Sequence, residues 1–582
     1  MLLNTVSAPA SWLIKSGLTN KAPKRMAHVL KHFALFESGK RYLFAAFLIA
    51  FVVCAPLLSL LFEAIQGSIG HWGHLLTYVL PNAFINTLLL LLGVGVVVTF
   101  LGTGAAWLVT AYDYPGRRFL TWALLLPLAV PTYIIAFTYL DILHPIGPIQ
   151  GLIRDVLGYS SPREFRLPDI RGLWGAILLL GVVLYPYVYL TTRFMFLTQA
   201  ASVVEAARIL GETPRGVFLR VALPLARPAI VVGVTLALLE TLNDVGAAEF
   251  LGVKTLTLAI YTTWVTRSDL AGAAQIALSM LFIVVFMLHI EKRARQRQRY
   301  SLVQRMRAMT PTPLHGHHIV LALVLGTIPI LFGFVLPAGY LVIQVFKRME
   351  QQASISSGLL QASFNTLAIA SVATVLTVSL GLVVAWAARR MRDSASEHSL
   401  GKFFSRLASL GYAVPGTVLA IGLLGPLLMI DQVIEWVVGL AQHKMTSLVV
   451  LGSTAGLLMA YVIRFLAIAN GSIEAGLARI PPSIEQAARL LGESSSRTLW
   501  RVHLPLLKPA MISATLLVFV DTMKELPATL MLRPINFETL ATLLYGEASR
   551  GMYEEGAIAA LMIVLLGLLP VILLSRTQQR SV

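Results

Sequence analysis

Two short runs place acidic residues inside stretches that are otherwise apolar. One run reads E-T-L-N-D over 240–244 and the other reads D-T-M-K-E over 521–525. An offset of 281 aligns Glu240 with Asp521 and Asp244 with Glu525, and in each run the two acids lie four residues apart. Acids with that spacing share one face of a helix. Carboxylates within a membrane span are costly unless they face water, a partner or an ion, so the four acids predict a pathway for a charged solute.

An alternative interpretation is that these helices end early. Counting from Arg227 at about 1.5 Å per residue places Glu240 about 20 Å along its span. That depth lies in the outer half of the bilayer, but if the helices end early, the acids lie among the outer lipid headgroups, with Lys524 pairing locally.

Other chemistry receives little support from the sequence. No G-x-x-x-x-G-K-[ST] run occurs, so ATP hydrolysis would have to come from another subunit. No nucleophile and base form a recognisable pattern, and a single cysteine, Cys54, excludes a disulfide within the chain. The loop histidines lack acidic or cysteine partners, so we predict no metal site; they are His71, His74, His315, His317 and His318.

One polar segment occurs twice, each time directly before a long apolar run. Residues 206–229 and 487–510 align without a gap at the same offset of 281, and thirteen of their twenty-four positions are identical. Each copy predicts a helix, a bend at a glycine that needs no Cβ, and a second short helix that ends at a proline. The glycines are Gly211 and Gly492, and the prolines are Pro224 and Pro505.

The composition indicates a polytopic membrane protein. Of the 582 residues, 57% are apolar and only 13% are charged, and the apolar runs reach the length of about 20 residues that crosses a bilayer. The net charge of +18 does not indicate nucleic-acid binding, because the basic residues lie between apolar runs. Twelve spans are predicted, at 42–62, 85–111, 119–140, 172–192, 228–247, 271–290, 318–346, 364–388, 404–430, 446–468, 510–530 and 557–575.

The distribution of lysine and arginine predicts the orientation of these spans. With both termini in the cytoplasm, the cytoplasmic segments and their flanks hold 34 of the 46 basic residues. This bias agrees with the positive-inside rule, and it places both repeated segments on the cytoplasmic side.

The duplication extends beyond the repeated segment. Asn86-Thr87-Leu88 matches Asn365-Thr366-Leu367, and Ala129-Val130-Pro131 matches Ala413-Val414-Pro415. Because both halves contain six spans and begin on the same side, the repeat is parallel. The predicted division is a basic segment at 1–41, a first unit at 42–290, a basic linker at 291–317 and a second unit at 318–582, in an all-α fold of two six-helix repeats.

The repeated segments resemble the EAA loop of ABC importer permeases, the element that docks into the ATPase subunits. The resemblance assigns ATPase coupling to Glu205, Ala206, Ala207, Gly211, Glu212 and Pro224, and to Glu485, Ala487, Ala488, Gly492, Glu493 and Pro505. The second copy has Gln486 at the position of the glutamate and Glu485 one residue earlier. The fold implied is that of a type I ABC importer.

A finer resemblance links the whole chain to ferric-iron ABC importer permeases of two fused units. It rests on the runs at 241–250, 524–530 and 533–542 and covers roughly 80–290 and 360–575. It implies a multi-pass protein of the bacterial inner membrane, two copies of a cytoplasmic ATPase subunit that binds ATP and Mg²⁺, a periplasmic substrate-binding protein, surrounding lipid, and no cofactor on this chain.

Two alternatives stay open from the sequence. Fused thiamine and aminoalkylphosphonate permeases look similar, so the cargo is not decided. A secondary transporter with two parallel halves of six spans shares the topology, but it would have no use for duplicated cytoplasmic loops.

Overall fold

The computed structural model describes residues 38–66, 73, 75–198, 201–296, 310–351, 356–390, 395–440 and 448–579. Most of the basic segment at 1–41 and residues 297–309 of the linker at 291–317 lie outside this part of the chain, and so do His71 and His74. Most described residues are helical, as the all-α prediction requires. The one strand pairing within the described ranges joins β1 (Tyr112–Asp113) in parallel with β2 (Thr312–Pro313).

Among its described residues, the first half has twelve α-helices, several of which are joined by short π-helical or 3₁₀ segments. They are α1 (Ser38–Gln66), α2 (Leu80–Ala111), α3 (Arg117–Ala123), α4 (Thr132–Ile142), α5 (Pro148–Leu157), α6 (Leu173–Thr198), α7 (Ala201–Ile209), α8 (Pro214–Gly216), α9 (Leu223–Asn243), α10 (Gly246–Phe250), α11 (Leu256–Tyr261) and α12 (Leu270–Gln296).

The second half repeats this order with small differences. Its helices are α13 (His317–Ile330), α14 (Leu336–Gln351), α15 (Ser357–Arg390), α16 (Ala395–Ala408), α17 (Gly416–Leu440), α18 (Thr454–Ala478), α19 (Pro482–Leu490), α20 (Ser495–Thr498), α21 (Leu504–Met523), α22 (Pro527–Leu532), α23 (Leu540–Ser549) and α24 (Tyr553–Gln579).

Among the described residues, 11 helices are long and apolar enough to cross a membrane, and one bent pair raises the number to 12. The number agrees with the twelve predicted spans. The prediction of one continuous span at 119–140 is wrong, because the chain turns by 90° between Arg117–Ala129 and Thr132–Ile142. The predicted span at 404–430 is likewise divided, between α16 and α17.

The repeated Ala-Val-Pro run explains both breaks. A residue that precedes proline avoids the helical region, and proline has no backbone N–H to donate. Val130 and Val414 accordingly have extended backbones, with ψ of 115° and 120°. The same three residues therefore interrupt the third span of each half.

The first and last spans of each half pack against the middle spans of the other half, and we call these the exchanged helices. In one hydrophobic core, Val98 and Tyr185 of the first half pack with Leu341 and Val564 of the second. In the other core, Leu60 and Met280 of the first half pack with Tyr461 and Val518 of the second. The units at 42–290 and 318–582 remain a prediction from the sequence, and their packing crosses the boundary between them.

The exchanged helix α1 packs closely against α17 of the second half. A Cβ on Gly422 of α17 would lie 2.3 Å from the carbonyl oxygen of Pro56 in α1, so no larger residue fits there. Helices within a bilayer associate largely through such close packing of small residues, since lipid supplies no hydrophobic force between them.

Candidate functional site

Each repeated segment forms a short helix, a glycine bend and a helical turn that leads into a span. Gly211 follows α7 with φ of +82°, and Gly492 follows α19 with φ of +79°. Residues with a Cβ rarely adopt this left-handed conformation. The bend therefore depends on glycine, and we name the segments 201–222 and 482–503 the first and second coupling loops.

The tips of both loops expose large apolar side chains. Ile209, Leu210, Leu490 and Leu491 have 84–89% of their surface exposed. Behind each tip, an ion pair joins the same two positions of the repeat: Glu212 to Arg220 at 3.5 Å and Glu493 to Arg501 at 3.0 Å. The two loops thus expose apolar side chains at equivalent positions, and equivalent ion pairs lie behind them.

The alanines of the EAA pattern lie on the short helices α7 and α19. Ala206 and Ala487 are exposed, Ala207 is half-buried and Ala488 is buried. Helices α7 and α19 thus carry the alanines and end at the tip residues Ile209 and Leu490, and the other two tip residues, Leu210 and Leu491, follow directly.

The prediction that a short helix ends at each proline is wrong. Pro224 and Pro505 lie in the first turn of α9 and α21, and the helix continues through them. A π-helical segment precedes each one, at Val217–Ala222 and Leu499–His503. Proline is tolerated in the first turn because its missing N–H has no obligatory partner there, so each coupling loop runs without a break into a span.

The two loops are held in place by different contacts. In the first loop, the Glu205 carboxylate accepts hydrogen bonds from the backbone N–H of Thr310 at 3.1 Å and from its hydroxyl at 2.8 Å. Arg208 donates to the Thr310 carbonyl at 3.0 Å. Thr310 belongs to the end of the linker, which also forms strand β2. The linker between the halves thus anchors the first coupling loop.

A buried charge cluster anchors the second loop. Glu485 pairs with Arg389, and its Oε1 lies 3.3 Å from Nε2 of His503, a fully buried residue. Arg389 also donates to the Ile480 carbonyl at 2.8 Å. Burial by itself raises the pKa of the Glu485 carboxyl, but the neighbouring His503 and Arg389 side chains outweigh it and lower the pKa to about 2. Glu485 is therefore ionised at neutral pH.

The four acids of the two short runs line a single cavity of about 90 Å³ between the halves. Glu240 and Asp244 reach it from the first half, and Asp521 and Glu525 reach it from the second. The structure thus brings together all four residues that were proposed for a pathway.

The prediction that each pair of acids lies on one helical face is wrong. Helix α9 ends at Asn243 and α21 ends at Met523, so Asp244 and Glu525 lie beyond the helices. Asp244 accepts a hydrogen bond from the N–H of Ala247 at 2.8 Å, and Glu525 accepts one from Ala528 at 3.0 Å. Both carboxylates thereby cap the short helices that follow, α10 and α22.

Glu240 and Asp521 remain on their helices and have different partners. The Tyr412 hydroxyl donates to Glu240 at 3.0 Å. Lys524 Nζ lies 2.8 Å from Asp521 Oδ1, the local pairing that the alternative interpretation anticipated. All four acids nevertheless line the same cavity between the halves.

Arg464 and Asn243 also line the cavity, and neither was proposed as a site residue from the sequence. Arg464 donates to Asn243 Oδ1 at 2.8 Å, and the N–H of Gly416 donates to the same oxygen at 2.8 Å. No role was assigned to Arg464 from the sequence. An arginine within a predicted span is itself a signal of function, and the predicted span 446–468 contains Arg464.

The repeated Asn-Thr-Leu motif has the same task in both halves. Asn86 donates to the Lys254 carbonyl at 3.2 Å, and Asn365 donates to the Glu538 carbonyl at 2.9 Å. The hydroxyls of the next residues, Thr87 and Thr366, accept from the N–H groups of Leu256 and Leu540 at 2.9 and 2.8 Å. These bonds fix the short helices α11 and α23, which follow the cavity in each half.

Comparison with known proteins agrees with this architecture. The family model for the binding-protein-dependent transport system inner membrane component matches residues 98–300 and 394–582. The Fe(3+)-transport system permease protein FbpB 2 of Haemophilus influenzae is 26% identical over 540 residues, which cover 91% of this chain and 96% of that protein. The molybdenum transport system permease protein ModB of Escherichia coli is 29% identical over 191 residues, or 31% of this chain and 80% of ModB.

The two matched ranges include both coupling loops and both runs of acids. Together they cover more than half of the chain, and their order repeats the duplication seen in the sequence and in the helices. The chain belongs to the family of binding-protein-dependent transport system inner membrane components, as a fused, two-unit permease of an ABC importer.

Proposed function

We propose that this permease carries ferric iron into the cytoplasm, driven by ATP hydrolysis on a separate subunit. The observation that carries the choice of cargo is the cavity lined by four carboxylates. Its lining has four acids and two bases, Arg464 and Lys524, so negative charge is in excess when all six are ionised. A hard trivalent cation prefers such oxygen ligands.

Support for the same cargo comes from the relative in Haemophilus influenzae. That protein is named as a permease for Fe(3+) transport, and the alignment with this chain covers 96% of that protein. The partners of each acid within the protein also limit how tightly a cation binds there, which favours passage over trapping.

The coupling loops support docking of two ATPase copies, one on each loop. Each loop exposes two large apolar residues at its tip, and exposed apolar patches of this kind mark sites of protein contact. ATP and Mg²⁺ would bind to those subunits, with no cofactor on this chain. The loops and both termini would lie in the cytoplasm, and a substrate-binding protein would dock on the periplasmic face.

An anionic cargo is the second candidate, and the two bases of the cavity favour it. ModB is named as a molybdenum transport permease, and a putative 2-aminoethylphosphonate transport permease is also similar to this chain in sequence. Arg464 and Lys524 would then attract the cargo, and the acids would oppose it. Thiamine, a cation, would use the acids instead.

Uptake by proteoliposomes tests the proposal. The full chain is reconstituted with its ATPase and binding protein, and the uptake of radioactive ferric iron, molybdate, 2-aminoethylphosphonate and thiamine is measured with and without ATP. Ferric uptake that requires ATP and both partner proteins is expected. Uptake of one of the other solutes in its place would overturn the iron assignment, and uptake without the ATPase would overturn the coupling mechanism.

The docking step has its own control. Ile209→Ser with Leu210→Ser should abolish co-purification of the ATPase with the first loop, and Leu490→Ser with Leu491→Ser should do so for the second. A matched change on the lipid-facing surface, Val96→Ser, should leave co-purification unchanged, because Val96 is also exposed but lies within a span. Full ATPase binding after all four substitutions would contradict the docking role.

A further inference from the structure

An apolar groove of about 460 Å³ lies beside the first coupling loop, where the loop enters the membrane. Three elements form its walls: the end of α2, helix α13 and the π-helical segment Val217–Ala222 with the start of α9. Trp107 at its base contacts the Phe218 ring at 5.2 Å between centroids. The groove thus adjoins the turn that carries the first coupling loop.

The groove opens to the bilayer. Two of its wall residues, Phe100 and Leu325, are 78% and 54% exposed and belong to helices that can span a membrane. Its polar content is small: the Thr103 hydroxyl is buried and has no hydrogen-bond partner among the described residues. An apolar space of this kind does not hold water.

The second half fills the equivalent space with protein. The offset of 279 that aligns the Asn-Thr-Leu motifs also aligns Trp107 with Trp386, and it places Leu382 and Val383 where the first half has Thr103 and Gly104. Trp386 is 1% exposed, and its ring lies 4.9 Å from that of His503, which belongs to the second coupling loop.

The lengths of α3 and α16 provide a second reason why the groove occurs in the first half and not in the second. Helix α16 has 14 residues, whereas its counterpart α3 has seven. Phe404 of α16 packs edge-on against Phe47 of the exchanged helix α1 at 5.6 Å. Helix α3 has half as many residues as α16, so it offers fewer side chains to cover the corresponding side of α2.

We propose that one acyl chain of a bilayer phospholipid occupies this groove and completes the packing beneath the first coupling loop. The walls are membrane spans, so hydrocarbon is the medium that meets the open side, and it matches the apolar lining. A chain seated there would pack against Phe218 and Leu223, which lie on the π-helical segment and directly after it. The first coupling loop then rests partly on lipid, and the second rests on protein.

Two substitutions taken from the second half are suited to test this. Thr103→Leu and Gly104→Val would fill the groove with the side chains that occur at the equivalent positions. Gly104 tolerates the change within the protein, because a Cβ there meets no atom within 4 Å and the backbone is helical. Val96→Leu, on the same helix but outside the groove, is the matched control.

The experiment uses the full chain in liposomes that contain phosphatidylethanolamine with a diazirine at the middle of one acyl chain. The protein is extracted in mild detergent, washed to remove loosely bound lipid and irradiated, and adducts are mapped by mass spectrometry. We expect adducts within 99–108 or 218–223 that exceed those in the second-half segment 378–387 several-fold. The double variant should lose them several-fold, and Val96→Leu should keep them.

Three results would overturn the proposal. Equal labelling of the two halves would mean that only surface lipid is present, and labelling that persists in the double variant would place the lipid elsewhere. The absence of labelling in the groove would also overturn the proposal. That result is expected if residues 1–37 or 297–309 of the chain cover the groove.

Discussion

The Tyr412 hydroxyl donates a hydrogen bond of 3.0 Å to the Glu240 carboxylate, and this bond crosses from one half of the repeat to the other. Glu240 belongs to helix α9 of the first half, whereas Tyr412 lies at the break between α16 and α17 of the second. The bond directs an acid of one half toward the shared cavity. The position of this charged group in the cavity therefore depends on a contact between the two halves.

Neutralising the four acids should reduce ferric uptake by orders of magnitude. The variants are Glu240→Gln, Asp244→Asn, Asp521→Asn and Glu525→Gln, combined in one chain. Amides of the same shape remove the negative charge that a cation meets in the cavity. ATP hydrolysis stimulated by the binding protein should persist, because the coupling loops are unchanged.

Tyr412→Phe serves as the control for that experiment, since it removes a hydrogen bond but no charge. A hydrogen bond contributes about 1 kcal/mol, so uptake should fall by about tenfold at most. Wild-type ferric uptake by the neutralised chain would remove the acids from the pathway, and increased uptake of an anion would indicate the other class of cargo.

Asp244→Ala should weaken the start of helix α10, whereas Asp244→Asn should not. Asparagine caps a helix about as well as aspartate, and loss of a cap costs about 1 kcal/mol. Hydrogen exchange at the Ala247 amide, which donates to Asp244, reports the difference directly. The same exchange rate in both variants would show that the cap does not stabilise this helix.

Replacing Gly211 and Gly492 by valine should uncouple transport while the permease stays folded. Both positions have positive φ, and forcing a β-branched residue into that region costs about 1–3 kcal/mol. Gly339→Val is the matched control, because a Cβ at Gly339 meets no atom within 4 Å and Gly339 lies inside α14. We expect loss of ATPase binding in the double variant alone, and normal transport by it would show that the bends are dispensable.

The stabilisation that Glu485 gives should depend on pH. Its pKa is lowered from the ordinary value of 4.5 to about 2 in the folded protein, so the contribution is complete above about 4.5 and is lost as the pH falls toward about 2. Glu485→Gln leaves Arg389 buried without its charged partner and should cost about 3–5 kcal/mol at neutral pH. Thermal unfolding of both proteins from pH 7 to pH 3 checks this: their Tm values should converge on acidification, and a constant difference would exclude an ionic origin.

Cysteine labelling tests the orientation in the membrane. In a background with Cys54→Ser, the variants Ser160→Cys and Gln351→Cys should react with an impermeant thiol reagent from outside, and Ser494→Cys should react only after permeabilisation. All three positions are exposed, so access is decided by the membrane. Labelling of position 494 from outside would invert the topology and exclude ATPase docking on the second loop.

The sequence by itself determined the features that depend on local composition and on duplication. Apolar runs of membrane length predicted the spans, the offset of 281 identified two equivalent loops, and Gly211 and Gly492 marked their bends. Each follows from the chemistry of residues that are neighbours in the chain, because hydropathy and backbone freedom are local properties.

Only the tertiary structure decided where those helices end and which surfaces they share. Asp244 and Glu525 were placed on continuing helices because the apolar pattern continues past them, but their carboxylates cap the next helices, and Asn243 at the end of α9 bonds to Gly416 and Arg464 of the other half. The exchange of α1 and α24 between the cores is likewise invisible to periodicity. Such contacts join residues up to hundreds of positions apart, and no local pattern encodes which distant partner a polar or apolar group will meet.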